Sequence, residues 1–485
     1  MPNTLLIEGN KVLVEGTPQF LKAVEMACSF VPTGALWRKL SLARQGKFVP
    51  KDYITLYSER SRHFPTGLLL RVKKECAEFT PVISGDFWQP LSKVIPDDFD
   101  LTGITLRPYQ IKGIQKLLLR GRGVLRVATN GGKTEIAAAV LNHAKRKAIY
   151  IVTDLELVEQ TIKRFKKRLP GMSIGILQGD NIDIEGVDVI VASVQTLAKK
   201  YRKRAFKKVL DAIDIVLLDE VHRITTAKTW YKACRAFKTK NVIGMSATPF
   251  KRQIEGSQLH LEALCGPIVY DISNKYLIAK GYSTPVDVRV YVCRHPLEYN
   301  RLHWVRDDVY NTVIRYNQKR MKFISKVVLA NWESGGKKGT LILTRNVDHV
   351  KAIVAELGLH GIRAAAFFGD MKNREKVLQR FRDNKIKCVV STPILGTGVD
   401  IENIHLLVMA SPVKAEHVVT QYIGRGVRLA KGKTQVVVAD ILDANVDYFE
   451  RQFDSRKESY SLNEFGFTYM EARDNGNGFR ACGNR

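Results

Sequence analysis

From about residue 100 onward the chain repeats one device: a short unbroken apolar run rich in Val and Ile, a turn, then a stretch with apolar residues at helical spacing. The runs are 124–128, Ala148–Val152, Val187–Ala192, Ile213–Leu218 and Val242–Met245, followed by Thr340–Leu343, Cys388–Val390, Ile404–Met409 and Val436–Ala439. A strand with one face in water alternates apolar and polar residues. Runs that do not alternate belong to strands covered on both faces, which points to parallel sheets flanked by helices. The runs fall in two groups separated by residues 250–335, a more irregular connector with several aromatics. The expected fold is therefore α/β, with two parallel-sheet domains in tandem. Residues 1–95 mix short strands and helices with many basic and aromatic side chains and leave through Pro90, Pro96 and Asp97-Asp98, as a small α+β N-terminal domain would. The expected boundaries are 1–95, 96–283, 284–455 and a tail at 456–485, which carries Asp474-Asn475-Gly476-Asn477-Gly478 and reads as frayed.

At 485 residues there is room for about three domains of ~150 residues each. Seven scattered cysteines without a Cys-x-x-Cys pair argue against a structural zinc site or a disulfide scaffold and suit a reducing compartment. No apolar run approaches the roughly 20 residues of a membrane span, and Met1–Lys11 lacks a signal-peptide pattern, so the expected location is the cytoplasm of a bacterium or phage-infected host. Lys plus Arg number 77 against 48 Asp plus Glu, a net charge of +29. Such an excess makes a polyanion the expected partner; no basic amphipathic anchor favours a membrane.

The stretch Val127-Ala128-Thr129-Asn130-Gly131-Gly132-Lys133-Thr134 has the working end of a phosphate-binding loop, though a strict P-loop would have glycine at 127. Backbone N–H groups of Asn130 to Lys133 and the following helix N-terminus could hold a phosphate, with Lys133 reaching the outer phosphates and the Thr134 hydroxyl on Mg²⁺. Asn130 tolerates a left-handed backbone and could stand in for a turn glycine. Downstream an apolar strand ends in Asp219-Glu220-Val221-His222. A carboxylate there can hold Mg²⁺ and a second can orient an attacking water, roles that fall to Asp219 and Glu220. Read in isolation, the pair would equally be a solvated turn. Upstream, Leu106-Arg107-Pro108-Tyr109-Gln110 opens a helix, and the Gln110 amide could pair with an adenine edge because it both donates and accepts.

Leu-Arg-Pro-Tyr-Gln, Ala-Thr-x-x-Gly-Lys-Thr, Asp-Glu-Val-His and Ser246-Ala247-Thr248-Pro249, in that order, resemble the first motor domain of superfamily 2 helicases. Ser391-Thr392 with Gly396-Thr397-Gly398-Val399-Asp400 resembles motif V, and Gln421-Tyr422-Ile423-Gly424-Arg425-Gly426-Val427-Arg428 resembles motif VI; the likeness covers roughly 104–440. It implies two RecA-like motor domains and ATP with Mg²⁺ as cofactors. The nucleotide set it implies is Arg107, Gln110, Thr129, Asn130, Gly131, Gly132, Lys133, Thr134, Asp219, Asp400 and Gln421, with His222, Ser246 and Thr248 coupling hydrolysis to movement. Arg425 and Arg428 would reach across the interdomain cleft as arginine fingers, a role worth about 10³–10⁵ in rate in other phosphoryl-transfer enzymes.

The same resemblance puts Ser193, Gln195, Thr196, Thr392, Gly396 and Thr397 on the nucleic-acid backbone, where contacts position a strand without reading its sequence. Lys199 and Lys200 open a basic run to Lys208 beside them; alone, such a run is an ordinary solvated face. The stretch Arg60–Lys74, basic and aromatic and then amphipathic, is similar to the small N-terminal domain of phage UvsW-type helicases, which act on branched DNA. Trp37, Phe48, Tyr53, Tyr57 and Phe64 could stack on unpaired bases or build the core of that domain. The expected activity is that of an ATP-dependent DNA helicase or translocase acting on forked and four-way DNA in recombination, repair or replication. RNA or RNA–DNA hybrid unwinding, the motor subunit of a restriction or remodelling complex, and a DNA-binding subunit that uses ATP only as a ligand remain alternatives.

Overall fold

The computed structural model describes residues 2–32, 35, 53–85, 90–249, 256–300, 306–393, 401–412, 416–430, 432–473 and 478–482. The chain forms two compact units, Met1–Val127 with Gly131–Ile272, and Ala128–Asn130 with Ser273–Arg485. Among the described residues no helix is long and apolar enough to cross a membrane.

The first unit begins with β1 (Thr4–Glu8) and β2 (Lys11–Glu15), an antiparallel hairpin. A two-stranded ribbon follows, β3 (Ser29–Phe30) with β4 (Ile54–Thr55). β5 (His63–Pro65) joins β2 and β6 (Val82–Gly85) joins β1, giving the sheet order β5-β2-β1-β6. Thr17 caps the helix Pro18–Ala27 by accepting the Phe20 N–H, and this helix packs with Leu69–Glu75 around Phe20, Val24, Phe64, Leu68 and Val72. Leu259 and Ala263 of the helix Ser257–Cys265 enter the same core. The approach is close: a Cβ on Gly67 would lie 2.1 Å from the Glu262 carbonyl oxygen. Asn10 Nδ2 also donates to the carbonyls of Arg235 (2.9 Å) and Phe237 (3.0 Å). Of the aromatics considered for base stacking, Tyr57 and Phe64 are core residues, Tyr53 donates to Glu25 Oε1 at 2.7 Å, and Trp37 and Phe48 lie outside the described residues. A ring closed inside a core has no face left for a base.

The larger sheet of this unit comprises β7 (Gly123–Val127), β8 (Ala148–Val152), β9 (Ile174–Gln178), β10 (Asn181–Asp183), β11 (Val189–Ser193), β12 (Ile215–Asp219), β13 (Asn241–Ser246) and β14 (Ile268–Ile272). Their order is β10-β9-β11-β8-β12-β13-β7-β14, parallel except for the β9–β10 hairpin. Every residue of β8 and β11 is buried, as unbroken apolar runs require.

The second unit holds β15 (Val286–Arg294), β16 (Thr340–Leu343), β17 (Ala364–Phe367), β18 (Cys388–Ser391), β19 (Leu406–Met409), β20 (Val436–Ala444), β21 (Phe467–Ala472) and β22 (Phe479–Cys482). They are ordered β17-β18-β16-β19-β20-β15-β21-β22 and are parallel apart from β22. Two expectations fail here. The connector at 250–335 supplies β14 and the interior strand β15, whose alternating Val-Asp-Val-Arg-Val hides it from a search for unbroken runs; Arg289 Nε donates to Asp287 Oδ2 at 2.9 Å, so the polar positions satisfy one another. The tail is not frayed where it is described, because Phe467–Ala472 pairs with β15 and Phe479–Cys482 closes the edge.

Buried polar groups tie this sheet together. The Arg320 guanidinium forks Asp443, Nε to Oδ1 at 2.6 Å and Nη2 to Oδ2 at 3.0 Å, while Nη1 donates to the Ala410 carbonyl at 2.6 Å. Cys293, His295 and Asp443 lie close enough together to suggest a metal site, but the guanidinium occupies both carboxylate oxygens, which makes this an ion-pair core. Nearby, His349 is fully buried with Nδ1 2.6 Å from Thr344 Oγ1. Burial, with the Arg320 charge adding to it, holds the His349 pKa down from 6.5 to about 3. Between those values the unfolded chain binds a proton that the folded one excludes, so stability falls as pH is lowered. Taking this unit from about pH 7 to about pH 5 should cost about 2 kcal/mol through His349, and thermal melts of His349→Gln over the same range should show a correspondingly smaller drop.

Candidate active site

Parallel strands end on one edge of their sheet, so the chain leaves β7, β8, β11, β12 and β13 at Val127, Val152, Ser193, Asp219 and Ser246 on the same side. Residues far apart in sequence meet there. The loop after β7 turns through left-handed conformations at Asn130 (φ +70°) and Gly132 (φ +80°) before the helix Lys133–Ala144. Asn130 thus takes the turn glycine's part, as expected from its tolerance of that region. At Gly132 no side chain fits: a Cβ would lie 2.2 Å from Gln110 Nε2. Gln110 is itself buried, its Oε1 accepting the Arg107 N–H (2.8 Å) and its Nε2 donating to the Gly131 carbonyl (3.3 Å), which Tyr109 OH also reaches (3.1 Å). The Pro108–Arg120 helix therefore braces the loop from behind, a role for Gln110 that the sequence did not suggest.

Lys133 and the two carboxylates meet in front of the loop. Lys133 Nζ donates to Glu220 Oε1 and lies 3.9 Å from Asp219 Oδ1, all three side chains being mostly buried. Glu220 is held there by a left-handed backbone (φ +46°), and its N–H donates to Asp219 Oδ1 at 3.1 Å. Burial would lower the Lys133 pKa, but the Glu220 and Asp219 charges outweigh it and raise it. Burial would raise that of Glu220, but the ammonium beside it wins and keeps it low; Asp219, farther from Lys133, is pushed up by burial with Glu220 adding. One carboxylate of the pair thus stays firmly ionised. His222 Nδ1 lies 2.7 Å from Ser246 Oγ, which donates to Glu220 Oε2 at 3.4 Å and accepts the Thr248 N–H at 3.1 Å, so the ends of β12 and β13 are joined through one hydroxyl.

The cradle fits a nucleotide phosphate: backbone with no room for a Cβ, an ammonium, and a helix N-terminus. The Thr134 hydroxyl and the Asp219 carboxylate are the hard oxygen donors that Mg²⁺ takes.

Ser193 and Thr196, expected on the nucleic-acid backbone, are buried, their hydroxyls 2.8 Å apart, and Thr196 Oγ1 accepts the Gly179 N–H at 2.8 Å. Gln195 Nε2 donates to the Thr153 carbonyl at 2.7 Å. These side chains shape the turn after β11. Lys199 lies in the last turn of the helix Val194–Lys200 and is exposed, and Lys200 lies 3.7 Å from Asp180. Arg202 to Arg204, Lys207 and Lys208 continue an exposed basic face along Arg204–Asp211.

In the second unit Thr392 follows β18 and its N–H donates to the Phe367 carbonyl at 3.2 Å; Gly396, Thr397 and Asp400 lie outside the described residues. Gln421 and Arg425 fall on the helix Glu416–Gly426, with their side chains outside the described set. Arg428 lies just beyond that helix. Its carbonyl accepts from Thr284 Oγ1 (3.0 Å) and from Lys433 Nζ (3.0 Å), and the same ammonium reaches the carbonyls of Gly426 and Glu402. Lys433 thereby caps the helix with a cation at its negative end. A single lysine in a polar loop carries no signal of this in the sequence.

A fold of this kind with this loop and these carboxylates defines a nucleotide-dependent motor, and comparison with known proteins agrees. The family described as Type III restriction enzyme, res subunit, matches residues 103–251, and the helicase conserved C-terminal domain matches 319–430. The chain belongs to helicase superfamily 2 and is UvsW-like. It is 23% identical over 426 residues to the ATP-dependent DNA helicase uvsW of Enterobacteria phage T4, covering 79% of this chain and 80% of that protein. It is 26% identical over 374 residues to IRC3 of Saccharomyces cerevisiae, covering 70% of this chain and about half, 52%, of the yeast protein. In fold it resembles a Vibrio vulnificus fragment assigned to the HsdR subunit of a type I restriction enzyme (TM-score 0.60, 15% identity, 93% of this chain and 85% of that one).

The loop geometry sets opposite expectations for two neighbours. Gly132→Ala should weaken nucleotide binding by about 5- to 150-fold, since the positive φ and the clash with Gln110 cost roughly 1–3 kcal/mol, whereas Asn130→Gly should leave it within about threefold. Titration with a fluorescent nucleotide checks both.

Proposed function

We propose that the protein is an ATP-dependent DNA translocase that unwinds or branch-migrates forked and four-way DNA. The observation that carries the ATPase part is the meeting of Lys133, Asp219 and Glu220 in front of the Asn130–Lys133 loop, with His222 joined to Ser246 behind them. In this reading Lys133 and the loop N–H groups hold the terminal phosphates, and Thr134 and Asp219 hold Mg²⁺. When bound, the metal draws charge from the phosphate oxygens. Glu220, kept ionised, orients a water and takes its proton, and Arg425 and Arg428 supply positive charge to the transferring group. The substrate part is supported by the net charge of +29, by the exposed basic face along Lys199–Lys208, and by the extent of the match to a phage DNA helicase.

Steady-state hydrolysis measured alone and with single-stranded DNA, duplex DNA, a four-way junction and single-stranded RNA is the direct test. The junction is expected to stimulate most; stimulation by RNA alone would replace DNA by RNA as substrate. Lys133→Ala should lower turnover by about 10²-fold or more while DNA binding at low salt persists, and retained turnover would refute the loop assignment.

Because residues 1–85 share a core with Leu259 and Ala263, deleting them would expose that core rather than isolate a role in branch recognition. Surface charge reversal is cleaner. Arg60→Glu with Arg62→Glu, both exposed, should reduce stimulation by the junction while sparing that by single strands; equal loss with both polymers would refute a branch-sensing role for this region.

A further inference from the structure

Between the candidate nucleotide site and the turn that carries Gln195 lies one charged side chain that the reading above leaves unused. Arg223 sits on the six-residue helix Val221–Thr226, which starts immediately after Glu220 and also carries His222. Its Nη1 donates to Asp154 Oδ2 at 2.6 Å and to Thr153 Oγ1 at 3.0 Å, at the carboxyl end of β8. Gln195 Nε2 meets the main-chain carbonyl of the same Thr153 at 2.7 Å, so Thr153 is held through its side chain from the nucleotide side and through its backbone from the turn after β11. Asp154 is the N-cap residue of the helix Leu155–Arg168, a position where a carboxylate ordinarily accepts a backbone N–H of its own helix. Here it makes no such bond and reaches Arg223 instead. The pair is about a quarter exposed, 27% and 24%, which suits an ion pair that can break and re-form more than one locked into a core.

We propose that Arg223 is a positioning residue that couples the two sites: through Asp154 and Thr153 it transmits the placement of Glu220 and His222 to the Gln195 turn, and the reverse. The inference rests on the reading of this chain as a nucleic-acid-stimulated ATPase. Displacement of the turn by a bound strand would pull on Thr153 and so on the helix that follows Glu220. Coupling of this kind is reciprocal for binding, so nucleotide should change DNA affinity by the factor by which DNA changes nucleotide affinity.

The test uses the full chain, poly(dT) as the single-stranded probe and a non-hydrolysable ATP analogue. In Arg223→Ala and Asp154→Asn the hydrolysis rate without DNA should persist, the fold-stimulation by saturating poly(dT) should fall by about 2- to 30-fold, and the dependence of poly(dT) affinity on the analogue should flatten by a similar factor. The exchange Arg223→Asp with Asp154→Arg should restore part of the stimulation while the rate without DNA stays the same in all the variants, a separation that a role confined to folding would not give. Stimulation unchanged in the single variants, a parallel loss of basal and stimulated rates, or a double exchange no better than either single variant would each overturn the proposal. Absence of stimulation in the unaltered protein would overturn the underlying reading as well, and is distinguished because it appears before any substitution.

Discussion

A parallel strand can rejoin its sheet only by crossing over a face, so the parallel strands of each large sheet, β10 and β22 excepted, end on the same edge. That constraint organises the rest of the molecule. It requires apolar side chains on both faces of the strands, leaves the polar loops at one rim, and brings Lys133, Asp219, Ser193 and Ser246 together although they are up to 113 positions apart in the chain (246 minus 133). The chemistry follows from topology before any side chain is considered.

At that rim the protein keeps charge in a poorly solvated place. Lys133, Asp219 and Glu220 are mostly buried, and a buried charge is tolerable only when it is paired and hydrogen-bonded. Two carboxylates share one ammonium, so they differ in acidity, and the closer one holds its charge. The second unit uses the same physics for another end: Arg320 with Asp443, and Arg456 with Asp440, are buried pairs whose donors and acceptors are taken up by neighbouring carbonyls, a tyrosine and a histidine. Such satisfied pairs fix the sheet. The Lys133 cluster instead leaves Asp219 less closely paired than Glu220, at 3.9 Å from the ammonium.

The motif residues also divide by what their side chains do. Lys133 and Glu220 face each other across the cradle, while Gln110, Ser193 and Thr196 are engaged inside the protein, bracing a loop or shaping a turn. A motif records that a residue is required, not whether it touches ligand or holds the residue that does. Asn130 shows the converse: a residue unusual in such a loop adopts the positive φ of the turn, which asparagine tolerates.

Legible from the sequence alone were the two parallel sheets, most of their interior strands, and the placing of the loop after β7 beside the Asp-Glu strand end, because unbroken apolar runs and short motifs are local patterns. Thr340–Leu343 begins and ends where its run does. Not legible were β15, whose polar positions are satisfied by one another and by Asn331, and β21 and β22, which are held by pairing with strands far away in the chain. Nor could sequence show that Tyr57 and Phe64 turn inward, that Leu259 and Ala263 complete the N-terminal core, or that Lys433 caps a helix and Arg223 reaches Asp154. Composition and periodicity determine which segments must be buried and which small set of residues can do phosphate chemistry. Partners for polar side chains are chosen by distance in three dimensions, and only the tertiary structure decides those.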